Sequence, residues 1–291
     1  MSKIKLLTDS ASDITPDIAA KYDIRVLGFH VTLDDKSYTE GVDFTTDEFY
    51  TMLDSSSDFP KTSQITFAEF EDIYKQYYEE GYTDIIYTSI SSTGSATYNN
   101  ALNAIENFYE DIPEAREKIK IHIVDSLGYS AGYGYPVVKA AGKIQKGADV
   151  PEILAFLNEW LSCVEMYFVP YTLEYVKRSG RLSAAAAFVG ELLGLKPVIK
   201  IVDGVSYVPE KIRGEKNIIP KVIDVAKKNM TPHTPYILLV GSLPEESALF
   251  EKEITKELGY PPEYTIKIGS TVSSHAGHKV VGIILKGQNR R

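Results

Sequence analysis

Apolar and polar positions along the chain switch repeatedly between a strand period and a helix period, and the switches predict the order of elements. Residues 3–8 form a short apolar run of strand type, followed by a helix from about Thr15, where Thr15 is placed to cap and Pro16 takes the first turn. A second helix opens at Thr66: Glu69, three residues on, completes a capping box, Ile65 is placed to staple against Phe70, and Gly81 ends it. The rhythm continues with a strand at Asp84–Ser89, a helix at about 98–109, a strand at 118–124 and a helix at about 131–146. Strands of consecutive apolar residues separated by helices predict a parallel sheet covered on both faces.

Residues 25–60 interrupt this alternation with a polar, turn-rich stretch (Asp34, Asp35, Gly41, Asp43, Pro60), read as a small inserted subdomain or flap. From Pro151 two or three helices follow, and then the pattern changes. Residues 198–202 and 205–208 flank Asp203-Gly204, a dipeptide that supplies the positive φ angles of a type I′ turn, so this segment predicts a β-hairpin and antiparallel pairing. Further strands at 236–240, 264–268 and 280–285, with helices between, predict a mixed sheet. The fold class is therefore α/β: an N-terminal parallel-sheet domain over 1–160 with an insertion at about 25–60, and a C-terminal α+β domain with a mixed sheet over 161–291.

A chain of 291 residues exceeds the usual size of one compact core, which agrees with two domains. Its formal charge of -9 removes nucleic acid from the candidate partners, because phosphate neutralisation needs a clustered excess of Lys and Arg. The single cysteine, Cys163, excludes an intramolecular disulfide; it falls in an apolar helical pattern (Phe156, Leu157, Trp160, Leu161, Val164) that reads as core, and a reducing, cytoplasmic location is expected. The first residues run straight into a strand pattern without a leader-type apolar region, and no apolar stretch reaches the roughly 18 residues of a membrane span. Cys163 shows no metal-ligand spacing, and nothing pairs His30, His122 or His233 with a carboxylate at metal-ligand spacing.

Polar clusters recur where strands end: Thr8-Asp9-Ser10, Ser89 to Thr97, and Asp125-Ser126. Ligands of doubly wound sheets bind at the carboxyl ends of strands, so these three loops are expected to meet. The richest, Ser91-Ser92-Thr93-Gly94-Ser95-Ala96-Thr97, delivers hydroxyls and free backbone N–H groups to a helix start. Such residues serve either as helix caps or as an anion site. Thr62-Ser63-Gln64 is a second hydroxyl cluster, which is equally a polar approach to the next helix. Residues 270–278 join two strands and set His275 and His278 among hydroxyls, in a structural role or beside an anion. Lys177-Arg178-Ser179-Gly180-Arg181 is a compact basic turn that would complement a helix dipole. The small-residue stretch 182–195 permits close packing or lines a narrow apolar slot. Nucleophile-elbow, Walker, dinucleotide and zinc-protease signatures are all missing.

In this order these segments resemble the DegV family of bacterial lipid-binding proteins, which includes the FakB subunits that present fatty acids to an acyl kinase. The motifs that carry the resemblance are Thr8-Asp9-Ser10-Ala11-Ser12-Asp13, Thr62-Ser63-Gln64, Ser91-Ser92 through Ser95 to Tyr98, Asp125-Ser126, the basic turn at 177–181, Lys196-Pro197, and Ile268-Gly269 with His275 and Gly277, and they span nearly the whole chain. Gly94 and Ala96 stand where the family commonly has Leu and Gly, Ser179 replaces a glycine, and Gly277-His278-Lys279 replaces a Gly-Pro-Gly turn. The resemblance implies a long-chain fatty acid buried between two domains. Its carboxylate would lie at Thr62 and Ser95, with Ser63, Ala96 and Thr97 beside them and His275 close to the head group. Arg178 and Arg181 would support the turn or dock a kinase. The protein would then be a cytoplasmic acyl carrier in phospholipid synthesis, touching membranes transiently, with no cofactor, no metal and no chemistry of its own. The competing expectation is an enzyme acting on a small anionic substrate, with His275 as general base and Asp9 or Asp125 as acid or metal ligand.

Overall fold

The computed structural model describes residues 2–188 and 194–288. Its first half contains β1 (Ile4–Asp9), α1 (Pro16–Tyr22), β2 (Ile24–Leu27), β3 (His30–Leu33), β4 (Lys36–Thr39), α2 (Thr46–Ser55), β5 (Lys61–Ser63), α3 (Phe67–Glu79), β6 (Asp84–Ser89), α4 (Thr97–Asp111), α5 (Ala115–Lys118), β7 (Lys120–Asp125), α6 (Ala131–Ile144) and α7 (Val150–Leu161). The second half contains β8 (Val164–Pro170), α8 (Glu174–Ser179), α9 (Ser183–Phe188), β9 (Leu195–Val202), β10 (Val205–Arg213), α10 (Ile218–Asn229), β11 (Tyr236–Val240), α11 (Pro244–Leu258), β12 (Tyr264–Lys267), α12 (Ser270–Ala276) and β13 (Val280–Lys286).

Strands β2-β1-β6-β7 form a wholly parallel sheet in that order. Helix α3 packs on α4, while α6 packs on α1 and α7, giving the two helical layers that right-handed crossovers require. The strand order reverses between β1 and β6, so the loops that follow Asp9 and Ser89 open a crevice at their carboxyl ends. Capping behaves as expected at α3, where Thr66 accepts from Glu69 N while the Glu69 carboxylate binds Thr66 N. It does not at α1: the Thr15 side chain makes no cap bond, and only its carbonyl serves the helix, accepting from Ala19 N.

The stretch read as an insertion divides in two. Residues Ile24–Leu27 belong to the parallel sheet as β2, because the crossover through α1 returns the chain to the edge of β1. The remainder builds an antiparallel sheet β4-β3-β5 under α2, with a core of its own formed by Val31, Leu33, Phe44, Phe49, Tyr50 and Leu53. This small body leans on the second half through Tyr50, whose hydroxyl donates to the Ile268 carbonyl, and through the Asp54 carboxylate, 3.2 Å from His278 Nε2.

The second half is organised on a mixed sheet in the order β10-β9-β8-β13-β11-β12, antiparallel except for β11 with β12. The expected hairpin is present, with φ of 51° at Asp203 and 70° at Gly204. Two expectations fail. The apolar run through Cys163 is not continuous helix: α7 stops at Leu161, Cys163 is buried just after it, and β8 begins at Val164. Residues 270–278 are not simply a loop, since α12 occupies most of them.

Period-2 alternation divides the sheet's side chains between two cores. Tyr167, Val169, Leu238, Val281, Ile283 and Leu285 face α10 and α11, where Val222 and Phe250 are fully buried. Met166, Phe168, Ile199, Ile201, Leu239 and Val280 point the other way, toward the first half of the chain. Gly282 shares that second face, and a Cβ there would come within 2.7 Å of Phe168 Cβ; the position needs glycine so that Phe168 can pack flat beside it.

Candidate functional site

A cavity of about 830 Å³ opens between the mixed sheet, the crevice of the parallel sheet and the small three-stranded sheet. Its two kinds of wall follow from the elements that make it. Strand alternation contributes Met166, Phe168, Ile201, Leu239 and Val280, an apolar face without hydrogen-bonding groups. The short strand β5 contributes Thr62 and Ser63, and loops and helix ends contribute Gln64, Ser92, Thr93, Ser95, Asn99, Tyr129, Arg181 and His275. Such a volume suits a ligand of drug-like or lipid size, most of whose surface it would enclose.

Thr62, half-buried, stands on β5 opposite Val31 of β3, so the small sheet sets its position. Its hydroxyl lies 3.0 Å from His275 Nε2, and the other ring nitrogen, Nδ1, lies 3.2 Å from Ser179 Oγ. Burial pushes the His275 ring down from 6.5 to about 4, with the Arg181 charge pushing the same way, so the imidazole is neutral near pH 7. Ser95 sits in the loop before α4; its hydroxyl is 2.9 Å from Thr97 Oγ1 and accepts from Thr97 N. The cap position itself is Ala96, whose side chain cannot cap, and the hydroxyl of Ser95 takes the N–H of Thr97 in its place.

Thr62, Ser63, Ser95, Ala96, Arg181 and His275 all line the cavity. Thr97 and Arg178 are not among its lining residues. Thr97 is fully buried below Ser95 and accepts from Ile65 N, tying the approach to α3 onto the start of α4. Arg178 is exposed on α8 with its guanidinium 4.1 Å above the Phe59 ring, a cation–π contact. Asn99, Tyr129 and the apolar wall were not singled out from sequence. Asn99 is one helical turn beyond Ser95 and shares its face, and the wall follows from alternation on the strands, so both carried a readable signal. Of the small-residue stretch 182–195, Leu182 lines the cavity and also packs in the core; residues 189–193 lie outside the described residues.

The three strand-end loops do meet, but through carboxylates that bind protein rather than ligand. Asp9 is fully buried and accepts from the hydroxyls of Tyr87 and Tyr133 and from Ile90 N. Burial lifts its carboxyl to about 6, against the lowering pull of those bonds. Asp125 accepts from Ser92 N and Leu127 N, shaping the two loops. Neither carboxylate is among the residues lining the cavity, so the acid partners that the enzymatic expectation required do not face it beside His275. Among the described residues no group of three or more His, Cys, Asp or Glu is arranged to hold a metal ion.

Two further carboxylates hold α12, the helix that carries His275. Glu40 Oε1 accepts from Ser270 N and Thr271 N, and its Oε2 accepts from Ser10 Oγ at 2.7 Å and Thr271 Oγ1 at 2.6 Å. Asp13 accepts from Gly269 N at 2.8 Å and from Ser130 Oγ; burial holds its carboxyl well above the usual range, the Ser130 bond opposing and the Glu40 charge adding. The first turn of α12 is thereby fastened to the parallel-sheet half and to the small sheet at once. His278, just beyond, is buried against Tyr50 and Asp54, so the turn after His275 is anchored, although its composition suggested a less constrained loop.

Comparison with known proteins bears on this arrangement. The model of the DegV family of uncharacterised proteins matches residues 3–287. A DegV domain-containing protein of Clostridium acetobutylicum is 33% identical over 290 residues, covering 98% of this chain and 99% of its own. Among solved structures, a stearic-acid-binding protein from Eubacterium ventriosum superposes with a TM-score of 0.86 at 26% identity, covering 98% of each chain. A fatty-acid-binding DegV family protein from Streptococcus agalactiae gives 0.86 at 27% identity, over 99% of this chain and all of its own. Among the described residues no helix is long and apolar enough to cross a membrane.

Proposed function

This chain belongs to the DegV family, and on that premise we propose that it binds one long-chain fatty acid, with the carboxylate at Thr62 and Ser95 and the acyl chain along the apolar face of the mixed sheet. The observation that carries the reading is the division of one cavity into a hydroxyl-lined end and an apolar wall. The solved relatives that superpose on the whole chain are described as fatty-acid-binding proteins. The ligand would lie between an N-terminal body of residues 1–160 and a C-terminal body of 161–291.

The energetics suit such a ligand. Burying about sixteen methylene groups at roughly 0.8 kcal/mol each yields on the order of 13 kcal/mol gross, before ordering costs. The carboxylate then needs several donors, since an unpaired buried charge would cost several kcal/mol or take up a proton. Thr62, Ser63 and Ser95 supply hydroxyls, backbone N–H groups near Ala96 add donors, and Arg181 brings a positive charge to the same cavity. A neutral His275 serves as a hydrogen-bonding neighbour rather than a counter-ion.

In this reading the protein performs no chemistry itself. It is an acyl carrier that presents the head group to a partner fatty-acid kinase, which forms the acyl phosphate for phospholipid synthesis. Arg178, exposed on Phe59, is available to that partner. Loading and unloading would take place in the cytoplasm with transient membrane contact.

Organic-solvent extraction of the purified protein, followed by mass spectrometry, tests the core of the proposal. About one fatty acid per chain is expected. Recovery of none, from folded protein offered free fatty acid, would overturn it. Affinity capture from native extract tests the kinase step separately: an acyl-phosphate-forming kinase should be retained by loaded protein, and its absence would remove the presenter role while leaving the carrier role intact.

A further inference from the structure

His275 meets a hydroxyl on each side, and the two contacts decide between its neutral tautomers. Nε2 faces Thr62 Oγ1 at 3.0 Å and Nδ1 faces Ser179 Oγ at 3.2 Å. The ring is neutral, so one nitrogen carries a hydrogen and the other accepts one. Ser179, the last residue of α8, is 5% exposed, and its Oγ already accepts the backbone N–H of Arg181 at 3.1 Å. A hydroxyl has one hydrogen to donate and two lone pairs.

Suppose Nδ1 carried the hydrogen. Ser179 would then accept twice, and its own O–H, enclosed by protein, would be left without an acceptor among the contacts of the described residues, which a buried donor rarely tolerates. Nε2 would in turn accept the Thr62 hydrogen, and Thr62 would present only lone pairs to the cavity. With the hydrogen on Nε2 every group is matched. Ser179 donates to Nδ1, Nε2–H donates to Thr62 Oγ1, and Thr62 keeps its own hydrogen for the cavity that it lines.

We infer that Ser179 is a positioning residue for the anion site: by donating to Nδ1 it holds His275 as the Nε2–H tautomer, which turns the Thr62 hydroxyl hydrogen toward a bound carboxylate. The identity of the anion rests on the fatty-acid reading; the tautomer belongs to the empty protein. The relay runs from α8 through α12 to β5, joining elements far apart in the chain. It also confers selectivity. A carboxylate can only accept from Thr62, whereas a fatty alcohol can donate to a Thr62 lone pair as well as accept, so losing the relay should weaken the acid and spare the alcohol.

The test combines ring-nitrogen NMR of delipidated, histidine-labelled protein with oleate and oleyl alcohol affinities for the wild type, Ser179→Ala and Ser179→Thr. The expected result is an Nε2–H His275 in the wild type and in Ser179→Thr, and a mixed or Nδ1–H ring in Ser179→Ala. Oleate should bind about fivefold more weakly to Ser179→Ala, with oleyl alcohol unchanged and Ser179→Thr restoring the wild-type ratio, the size expected for one reoriented hydrogen bond. An Nδ1–H ring in the wild type, or a Ser179→Ala protein with both tautomer and ratio unaltered, would overturn the inference. Should the wild type show Nε2–H yet bind no oleate, the fatty-acid reading falls and the relay stands; should it bind oleate with Nδ1–H, the reverse holds.

Discussion

Two polar clusters occupy the two ends of α12, and they differ in whether they reach the cavity. At the first turn, Glu40 and Asp13 have each carboxylate oxygen engaged by a backbone N–H or a hydroxyl from another element. At the last turn, His275 meets Thr62, while Ser95 is bonded separately to Thr97, and all three border the cavity of about 830 Å³. The first arrangement is closed: any further ligand would have to displace protein donors. The second borders the cavity, where a ligand can reach its polar atoms without displacing a carboxylate. Access to the cavity, rather than polarity, distinguishes the two: Thr62, Ser95 and His275 line it, whereas Glu40 and Asp13 do not.

The contrast can be broken most directly at Glu40. Glu40→Ala leaves the N–H groups of Ser270 and Thr271 and the hydroxyls of Ser10 and Thr271 without their acceptor. A loss of about 3–5 kcal/mol in urea denaturation is expected from several buried donors left unpaired. A loss under about 1 kcal/mol would show that the cluster is dispensable.

Titration sets His275 against a third buried group, Asp9, with opposite signs. His275 is held near 4 against 6.5 in the unfolded chain, so between those values the unfolded chain binds the extra proton, and stability falls as pH is lowered. Asp9 is raised to about 6 from 3.8, so the folded chain binds the extra proton, and stability rises as pH is lowered through that window. Each contributes roughly 3 kcal/mol at 1.36 kcal/mol per unit. Relative to the wild type, Asp9→Asn should therefore lose roughly 3 kcal/mol more between pH 6 and pH 4, and His275→Gln roughly 3 kcal/mol less. Denaturation curves at a series of pH values check both signs, and identical profiles for the three proteins would contradict them.

Packing against the apolar wall supplies a smaller effect. Gly282→Ala brings a Cβ within 2.7 Å of both Phe168 Cβ and the Tyr167 carbonyl, so about 1–3 kcal/mol of stability should be lost. Phe168, displaced toward the cavity that it lines, should shift the bound acyl chains to shorter lengths in a mass-spectrometric profile. An unaltered chain profile in a stable Gly282→Ala protein would place the acyl chain elsewhere.

At the binding end the double variant Thr62→Ala with Ser95→Ala should remain folded, because both residues line the cavity rather than a hydrophobic core. Fatty-acid affinity should drop at least tenfold, since each charge-assisted hydrogen bond is worth about 1.5–3 kcal/mol. Unchanged affinity would refute the placement of the head group.

Much of this molecule was legible from its residues because the signals are local. The capping box at Thr66 and Glu69, the Asp203-Gly204 turn and the hydroxyl loop before α4 depend on residues within a few positions of one another. Where local signals conflict with long-range pairing, they mislead. Cys163 and Val164 continue an apolar helical pattern, yet Val164 opens β8, because that strand pairs along its length with β13, more than a hundred positions away. The small sheet escaped notice because its strands are short and polar on one face, and only α2 packed upon them gives them a core.

The sequence by itself determined the order of most elements, the mixed character of the second half, and which loops are rich in hydroxyls, since propensity, capping and turn geometry act between near neighbours. Only the tertiary structure decided which hydroxyls remain available. It set Thr62 against His275 across 213 positions of chain, engaged Asp9, Asp13 and Glu40 as fasteners, and aligned one face of the mixed sheet into a cavity wall. Those outcomes are contacts between distant segments, and which donor finds which acceptor is settled when the segments pack together.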